Sequence, residues 1–504
     1  MMWRRWILIA TLLGSLIGCG GPYSSGDRVL VSKKAYDAWL TSPKRYEVVV
    51  FKYPRGPIEN NTPKNYIKRL LGLPGEILAI FFGRIYHRVP EPGAKPFFDD
   101  LEDGQVDPND LWENIYMHTT DAEGRNVHTA HQAKDRHNLG MYDKKGKQAR
   151  DWFEEGKFEI LRKPPHIQMA LRRIVYDNDY QAKDMKGKHD RWAPSKTSAW
   201  KTDKATGFTH DGKAEASVDW IRYRHLLRPR GDFVPPAGEI KKSLIVDTMG
   251  YNNLQTENQD KAAHIVPYWV GDLMLECSVE VLEPKGEFWI ELSKGIDRFR
   301  AKWDLATGKC TLYREGLGKK LEELGTQDTS VKSAGTYMLR LANIDARLTV
   351  WVDRALPFGN GQDYEPPEIL TKADIENKRK WTDSAIEHRR GPTENDLEPA
   401  SIGSKGARLT VTHVRLWRDT YYSTSVRESD YSLQRDDWDK VDKWDPIRKA
   451  RFATMYVQPG HYLCLGDNSQ ASSDSREWGL VPERLMLGRA LLVYYPLDRL
   501  GPIR

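Results

Sequence analysis

Residues 65–71 read NYIKRLL. In a strand the side chains of Tyr66, Lys68 and Leu70 share one face, and those of Ile67, Arg69 and Leu71 share the other. Two adjacent cations thus enter different surroundings. Burial disfavours an ammonium, so a lysine on an apolar face loses affinity for its proton and, once neutral, can take a proton from a hydroxyl. The plainer alternative is an edge-strand lysine whose stem covers apolar surface while its amine stays wet. Other reactive types are scattered. Four cysteines, Cys19, Cys277, Cys310 and Cys464, form no CxxC pair, which removes a zinc ribbon and a thioredoxin-like centre. Asp177-Asn178-Asp179 has the residue types of a calcium loop, and His128 with His131 those of a metal pair, yet neither has further ligands at useful spacing. No metal and no cofactor is expected.

The elements around Lys68 are short strands. GDRVLVSKKAYDAW from Gly26, RYEVVVFKYP over 45–54 and the stretch 65–87 are β-rich runs broken by Pro and Gly, which argues for an antiparallel β domain. VVVF at 48–51 is apolar without interruption, as in a strand covered on both faces, and GLPG at 72–75 is a turn. Residues 90–164 are polar with few apolar runs and are expected to form loops and short elements. From Ile167 alternation returns in runs such as VDWIRYRHLL, DLMLECSVEVLE, GEFWIELSKG and ARLTVTHVRLWRDTYY. Many short strands separated by Gly, Asp and Asn turns predict a two-sheet sandwich, and WDLATGKCTLYR followed by RLTVWVDRAL resembles a concanavalin-like jelly roll. Trp192, Trp200, Trp220, Trp269, Trp289, Trp303, Trp351 and Trp417 are mostly expected to pack within it, the alternative being an aromatic platform for a sugar. Residues 365–399 are a charged excursion between strands, and 427–449 a helical or looped return.

The chain has 504 residues, enough at about 150 per domain for more than one core. Hydrophobic residues make up 39% and charged residues 29%, and the mean hydropathy is −0.66, which excludes a polytopic membrane protein. A net charge of +6 from 77 basic and 71 acidic residues, without a block of like charge, gives no reason to expect nucleic acid as a partner.

Arg4 and Arg5 precede an uncharged, mostly apolar run over residues 7–18, a charged n-region followed by an h-region. A spanning helix takes about 20 apolar residues, so this run is read as a signal peptide rather than a permanent span. Leu16-Ile17-Gly18-Cys19 directly behind it resembles the lipobox of bacterial lipoproteins, which implies that Cys19 is lipidated as the first residue of the mature chain. Cys277 and Cys310 could then bridge in an oxidising compartment while Cys464, between Leu463 and Leu465, stays buried. The body of the chain is expected at the extracytoplasmic face, periplasmic or at the cell surface, attached to membrane lipid through its N-terminus.

GDRVLVSK, YIKRLLGLPGE and the block VQPGHYLCLGDNSQASSDSREWGLVP over 457–482, with the later Gly488, together resemble bacterial signal peptidase I. The motif GDN followed by SxDSRxWGxVP is the specific part. The resemblance covers residues 22–88 and 457–498 and implies a Ser/Lys dyad, in which a lysine deprotonates a serine that attacks the peptide carbonyl, with no histidine. The family's YxKRxxGLPGD motif places its general base at Lys68, with Glu76 where the family has Asp. Ser472 matches the position whose hydroxyl supports the lysine. Asp474 and Arg476 match a structural ion pair near the site, and Asp467 the acid that meets the arginine after the lysine, here Arg69. The family's SMxPTLxxGD is not present: GCGGPYSS precedes Gly26-Asp27. Aligning Pro22 with the family's proline puts Cys19 at the nucleophile position, where a lipidated sulfur could not attack. Ser24 and Ser25 are the nearest hydroxyls, with the composition of turn residues.

The expected fold class is therefore mainly β, a signal-peptidase-like antiparallel β domain split by an inserted concanavalin-like β-sandwich. Its parts are a signal peptide or anchor at 1–21, a split domain at 22–88 and 457–504, a polar segment at 89–164, the sandwich at 165–425 and a return linker at 426–456. Two functions stay open. One is a membrane-attached serine endopeptidase that processes exported preproteins. The other is a catalytically inactive lipoprotein whose sandwich presents a surface to a glycan or a protein.

Overall fold

The computed structural model describes residues 27–36, 42–53, 65–89, 117–120, 126–127, 148–149, 151–153, 155–181, 190–203, 207–213, 216–226, 241–247, 267–316, 320–366, 390–426, 429–431, 433, 437–450 and 452–503. The chain is mainly β, and among the described residues the strands form four antiparallel sheets. Two sheets are built jointly by the two ends. In the first, strands Arg28–Ser32, Met486–Tyr495, Val48–Lys52, Asn65–Gly72, His461–Leu465 and Val481–Pro482 lie in that order. The GLPG turn then carries the chain into the second, whose neighbours are Phe452–Tyr456, Ile77–Phe81 and Arg84–Arg88.

The polar segment contributes to the second sheet: Met117–Thr120 pairs with Phe452–Tyr456, and Glu159–Ile160 pairs with Arg84–Arg88. One expectation needs correction. In Val48–Lys52 only Val49 and Phe51 are fully buried, and Val48 and Val50 are half-exposed, so this strand is covered on one face rather than both. The apolar run reflects β propensity as well as burial.

The insertion is a two-sheet β-sandwich. One sheet orders Trp192–Pro194, Asp219–Tyr223, Ala400–Lys405, Glu287–Lys294, Asp297–Asp304, Lys309–Glu315 and Glu322–Asp328, and the other runs from Trp200–Asp203 through Arg408–Arg418 and Leu273–Val281 to Gln362–Asp363. Alternation does the packing: in Asp297–Asp304, Phe299, Ala301 and Trp303 are fully buried between the sheets while Arg298, Arg300 and Lys302 face out. Trp192, Trp200, Trp269 and Trp303 also lie in this core. Cys277 and Cys310 are buried in it as free thiols, so the bridge suggested between them is not formed.

Buried charge locks the sandwich to the split sheets. Arg84 holds Asp272 in a two-pronged contact at 2.8 and 3.0 Å, and Lys294 binds the same carboxylate. Lys163 sits 2.7 Å from Asp345 and 2.9 Å from Asp419. Removing one partner of such a pair leaves an uncompensated buried charge, which is strongly destabilising.

Candidate active site

Strand Asn65–Gly72 lies between Val48–Lys52 and His461–Leu465. The last of these delivers the chain into Gly466-Asp467-Asn468, and the turn that follows brings Ser472 back to the Asn65–Gly72 strand. Lys68 Nζ donates to Ser472 Oγ at 3.0 Å, across 404 residues of sequence. The approach depends on glycine: a Cβ at Gly466 would fall 2.0 Å from Ser472 Oγ and 3.4 Å from Lys68 Nζ.

One ring lies beside the lysine, and it belongs to an aromatic cluster. Tyr66 lies beneath the ammonium at 5.7 Å, and it packs on Tyr53 at 4.9 Å and on fully buried Trp478 at 6.3 Å. Burial lowers the Lys68 pKa, and the nearby Arg476 charge lowers it further, against the opposing pull of Asp474 and Asp467. Among the described residues no carboxylate comes within ion-pair distance of Nζ. The amine is therefore pushed toward its neutral form.

Arg69 points to the opposite face, as the period of two requires. There its Nε and Nη2 donate to Asp467 at 2.9 and 2.8 Å, and its Nη1 donates to the Tyr46 carbonyl. Asp474 caps the short helix Ser475–Trp478 by accepting from Arg476 N, and also accepts from Gly466 N at 3.0 Å. Arg476 closes on Asp474 with Nε and Nη2 at 2.9 and 2.6 Å, both side chains wholly buried. Ser475 Oγ accepts from Cys464 N, which ties the turn to the strand before it. Glu76 holds the preceding turn through Leu73 N at 2.9 Å and Arg45 at 2.5 Å.

Six singled-out residues, Lys68, Arg69, Asp467, Ser472, Asp474 and Arg476, thus converge at one place. Cys19, Ser24, Ser25, His128 and His131 lie outside the described residues. Asp177 and Asp179 are engaged by Arg415 at 3.0 and 3.2 Å, and Asp179 also by His413. Asp272, Asp345 and Asp419 stand within 4.8 Å of one another, as metal ligands do, but Arg84, Lys294 and Lys163 occupy their oxygens. Sequence reasoning missed Ser423 and Ser469, which bind Arg476. The density of hydroxyls in NSQASSDS was a visible signal for Ser469; nothing local marked Ser423.

The family model described as "Signal peptidase, peptidase S26" matches residues 22–100 and 399–495. A probable signal peptidase I-2 from Synechocystis is 42% identical over 50 residues, covering 10% of this chain and 23% of that protein. Signal peptidase I from Haemophilus influenzae is 24% identical over 198 residues, covering 37% of this chain and 48% of that protein. The chain thus spans less than half the length of these curated relatives. Among solved structures, a carbohydrate binding module from Bacillus subtilis aligns at 8% identity and a TM-score of 0.25, covering 45% of this chain and 94% of that one.

Proposed function

Since the two ends of this chain belong to the signal peptidase S26 family, we propose that the chain is a membrane-attached endopeptidase that cuts exported preproteins, with Lys68 as general base. The observation that carries this is the contact of the half-buried Lys68 amine, whose pKa burial lowers, with Ser472 Oγ at 3.0 Å. Neutral Lys68 takes the proton of the nucleophile as that atom bonds to the substrate carbonyl carbon. It then gives the proton to the departing amine, and a water hydrolyses the acyl-enzyme with Lys68 again as base. Ser472 orients the amine. Arg69–Asp467 and Asp474–Arg476 fix the strand and the turn that hold the two. The nucleophile belongs to the stretch before Gly26: Ser24 or Ser25 if Cys19 carries lipid, and Cys19 as well if its thiol is free.

Attachment to a membrane is supported by exposed apolar side chains at the edge of the first sheet, on Arg28–Ser32, Met486–Tyr495 and the residues that follow. Leu30, Leu491, Tyr495, Leu497 and Leu500 are all exposed there, Leu497 to 74%. In the described residues no helix is long and apolar enough to cross a membrane. The proposed leash is the apolar run at 7–18, or lipid on Cys19.

A second reading, favoured by the absent Ser-Met, makes the chain an inactive lipoprotein whose sandwich binds a glycan or protein. Its binding face would be built on Tyr313 and Trp220, the partly exposed rings that pack at 5.8 and 6.2 Å on the buried Trp289. Two measurements separate the readings. Full-length protein in detergent is mixed with an exported preprotein and the products are sequenced; one cut after a small residue is expected, and an intact preprotein would remove the first reading. The mass of the N-terminal peptide from membrane-extracted protein then shows whether Cys19 starts the chain as a lipidated residue.

A further inference from the structure

The guanidinium of Arg476 is enclosed on all sides, and its donors can be followed one by one. Nε and one Nη2 hydrogen go to Asp474, and Nη2 also donates to the Ser469 carbonyl at 2.7 Å. Nη1 is shared among Ser469 Oγ at 2.7 Å, Ser423 Oγ at 2.9 Å and the Ser423 carbonyl at 3.0 Å. Ser423 N in turn donates to Ser469 Oγ at 3.1 Å. Ser469, Asp474 and Arg476 belong to the block around Ser472. Ser423 does not: it sits five residues beyond the end of the sandwich strand Arg408–Arg418.

The segment 419–425 that connects them is a strap pinned at nearly every residue. Asp419 binds Lys163, and Thr420 Oγ1 donates to the Leu171 carbonyl at 3.0 Å. The Tyr421 ring stacks on Tyr268 at 4.7 Å and lies so close to Gly83 that a Cβ there would meet it at 2.3 Å. Tyr422 N donates to the Gly83 carbonyl, and its ring enters the apolar core that contains Leu71, Leu463 and Leu465. Thr424 donates to Asp430 through both its N and its Oγ1. A second tie lies alongside: Gln470 Nε2 donates to Asp247 at 2.5 Å. Such a strap has little freedom to drift, so its serine stands at a fixed place before Arg476.

We propose that Ser423 is a positioning residue for the Lys68–Ser472 pair, so that the sandwich, through the strap leaving it, is a working part of the candidate active site. Ser423 steadies Arg476, Arg476 orients Asp474, and Asp474 holds Gly466 N, against which Ser472 Oγ and Lys68 Nζ are set. Charge runs along the same path. The Asp474 carboxylate favours the ammonium form of Lys68 and Arg476 opposes it; loosening Arg476 leaves Asp474 less compensated, and Lys68 retains its proton to higher pH. The sandwich then acts on the Lys68–Ser472 pair through the buried turn rather than through substrate.

This rests on Lys68 being the base, and the test separates the two claims. In the full-length protein Ser423→Val and Ser423→Thr have nearly equal volume, and only threonine keeps an oxygen for Arg476. Acetic anhydride labelling of Lys68 is followed across pH by mass spectrometry against exposed lysines, and preprotein cleavage is measured beside it. Ser423→Val is expected to shift the Lys68 labelling midpoint upward and to reduce kcat severalfold with KM unchanged; Ser423→Thr is expected to restore both toward the native values. Equal labelling curves for native, valine and threonine proteins would overturn the proposal even if all three cleave. A native protein that cleaves nothing, with the valine shift still present, removes the peptidase reading and leaves the positioning role standing. If the valine protein does not fold, Ser423→Ala, which removes the oxygen without adding bulk, is judged by the same labelling curve.

Discussion

Two ionisable side chains, a buried one in the sandwich and a half-buried one in the split domain, are treated in opposite ways. In the sandwich, Glu291 is wholly buried and is met by Arg298 and Arg300 at 2.7 Å, Arg222 at 2.6 Å and Ser401 Oγ at 3.1 Å. Burial alone would raise its pKa, but Arg298, Arg222 and Arg300 overcome this and bring it to about 2. Lys68 is half-buried beside the Tyr66 ring and meets the Ser472 hydroxyl, and burial lowers its pKa. The first arrangement keeps a charge and serves the fold. The second weakens the hold on a proton, which is the direction a general base needs.

The strongest way to break this comparison is to neutralise Glu291. Glu291→Gln leaves three arginines without their shared anion and is expected to cost about 3 kcal/mol of stability, the lower end for a broken buried pair because the arginines are partly wet. Denaturant unfolding checks it. A cost below a few tenths of a kcal/mol would mean that the carboxylate is not structural. The same pair gives a pH dependence. A depressed carboxylate pKa contributes stability that is complete above its unfolded value, about 4.3, and is lost as pH falls toward about 2. Unfolding midpoints should fall over that window in the native protein and fall less in Glu291→Gln.

Next in size is Gly466→Ala. The added carbon cannot coexist with Ser472 Oγ at 2.0 Å, so Ser472 must leave Lys68, and a misplacement of this kind is expected to lower kcat about 100-fold. Unfolding of the sandwich should be unchanged. Ser472→Ala is smaller, about tenfold in kcat, since it removes one hydrogen bond and leaves the lysine beside Tyr66. Activity of the native protein should rise with pH through a Lys68 pKa below the ordinary lysine range, because only the neutral amine is competent. The smallest effect is on the thiols. Cys277, Cys310 and Cys464 are buried and free, and burial raises the pKa of each. A reductant should leave the melting temperature unmoved, and denatured protein should titrate all three.

Where burial dictated the residue, the sequence was legible. The alternation of Phe299, Ala301 and Trp303 with Arg298, Arg300 and Lys302 is the sandwich written in one strand. The opposed faces of Lys68 and Arg69 followed from the same period. Specific motifs gave Ser472, Asp474 and Arg476 a place near Lys68. Contacts set by the insertion were not legible. Ser423 meets Arg476 across 53 residues through a strap whose course depends on Tyr421, Tyr422 and the Gly83 turn, and no local pattern encodes it. The apolar VVVF run could not disclose that one face of its strand stays half open, since β-branched residues favour strands whether or not both faces are covered.

The central claim is that Lys68 is the base of a peptide-cleaving site. Its most direct test compares full-length native protein with Lys68→Ala in detergent, on one exported preprotein, with products identified by mass. The account predicts a single cut by the native protein and a loss of about 10³-fold in the variant, whose unfolding midpoint stays near native. Equal cleavage by both proteins would contradict it.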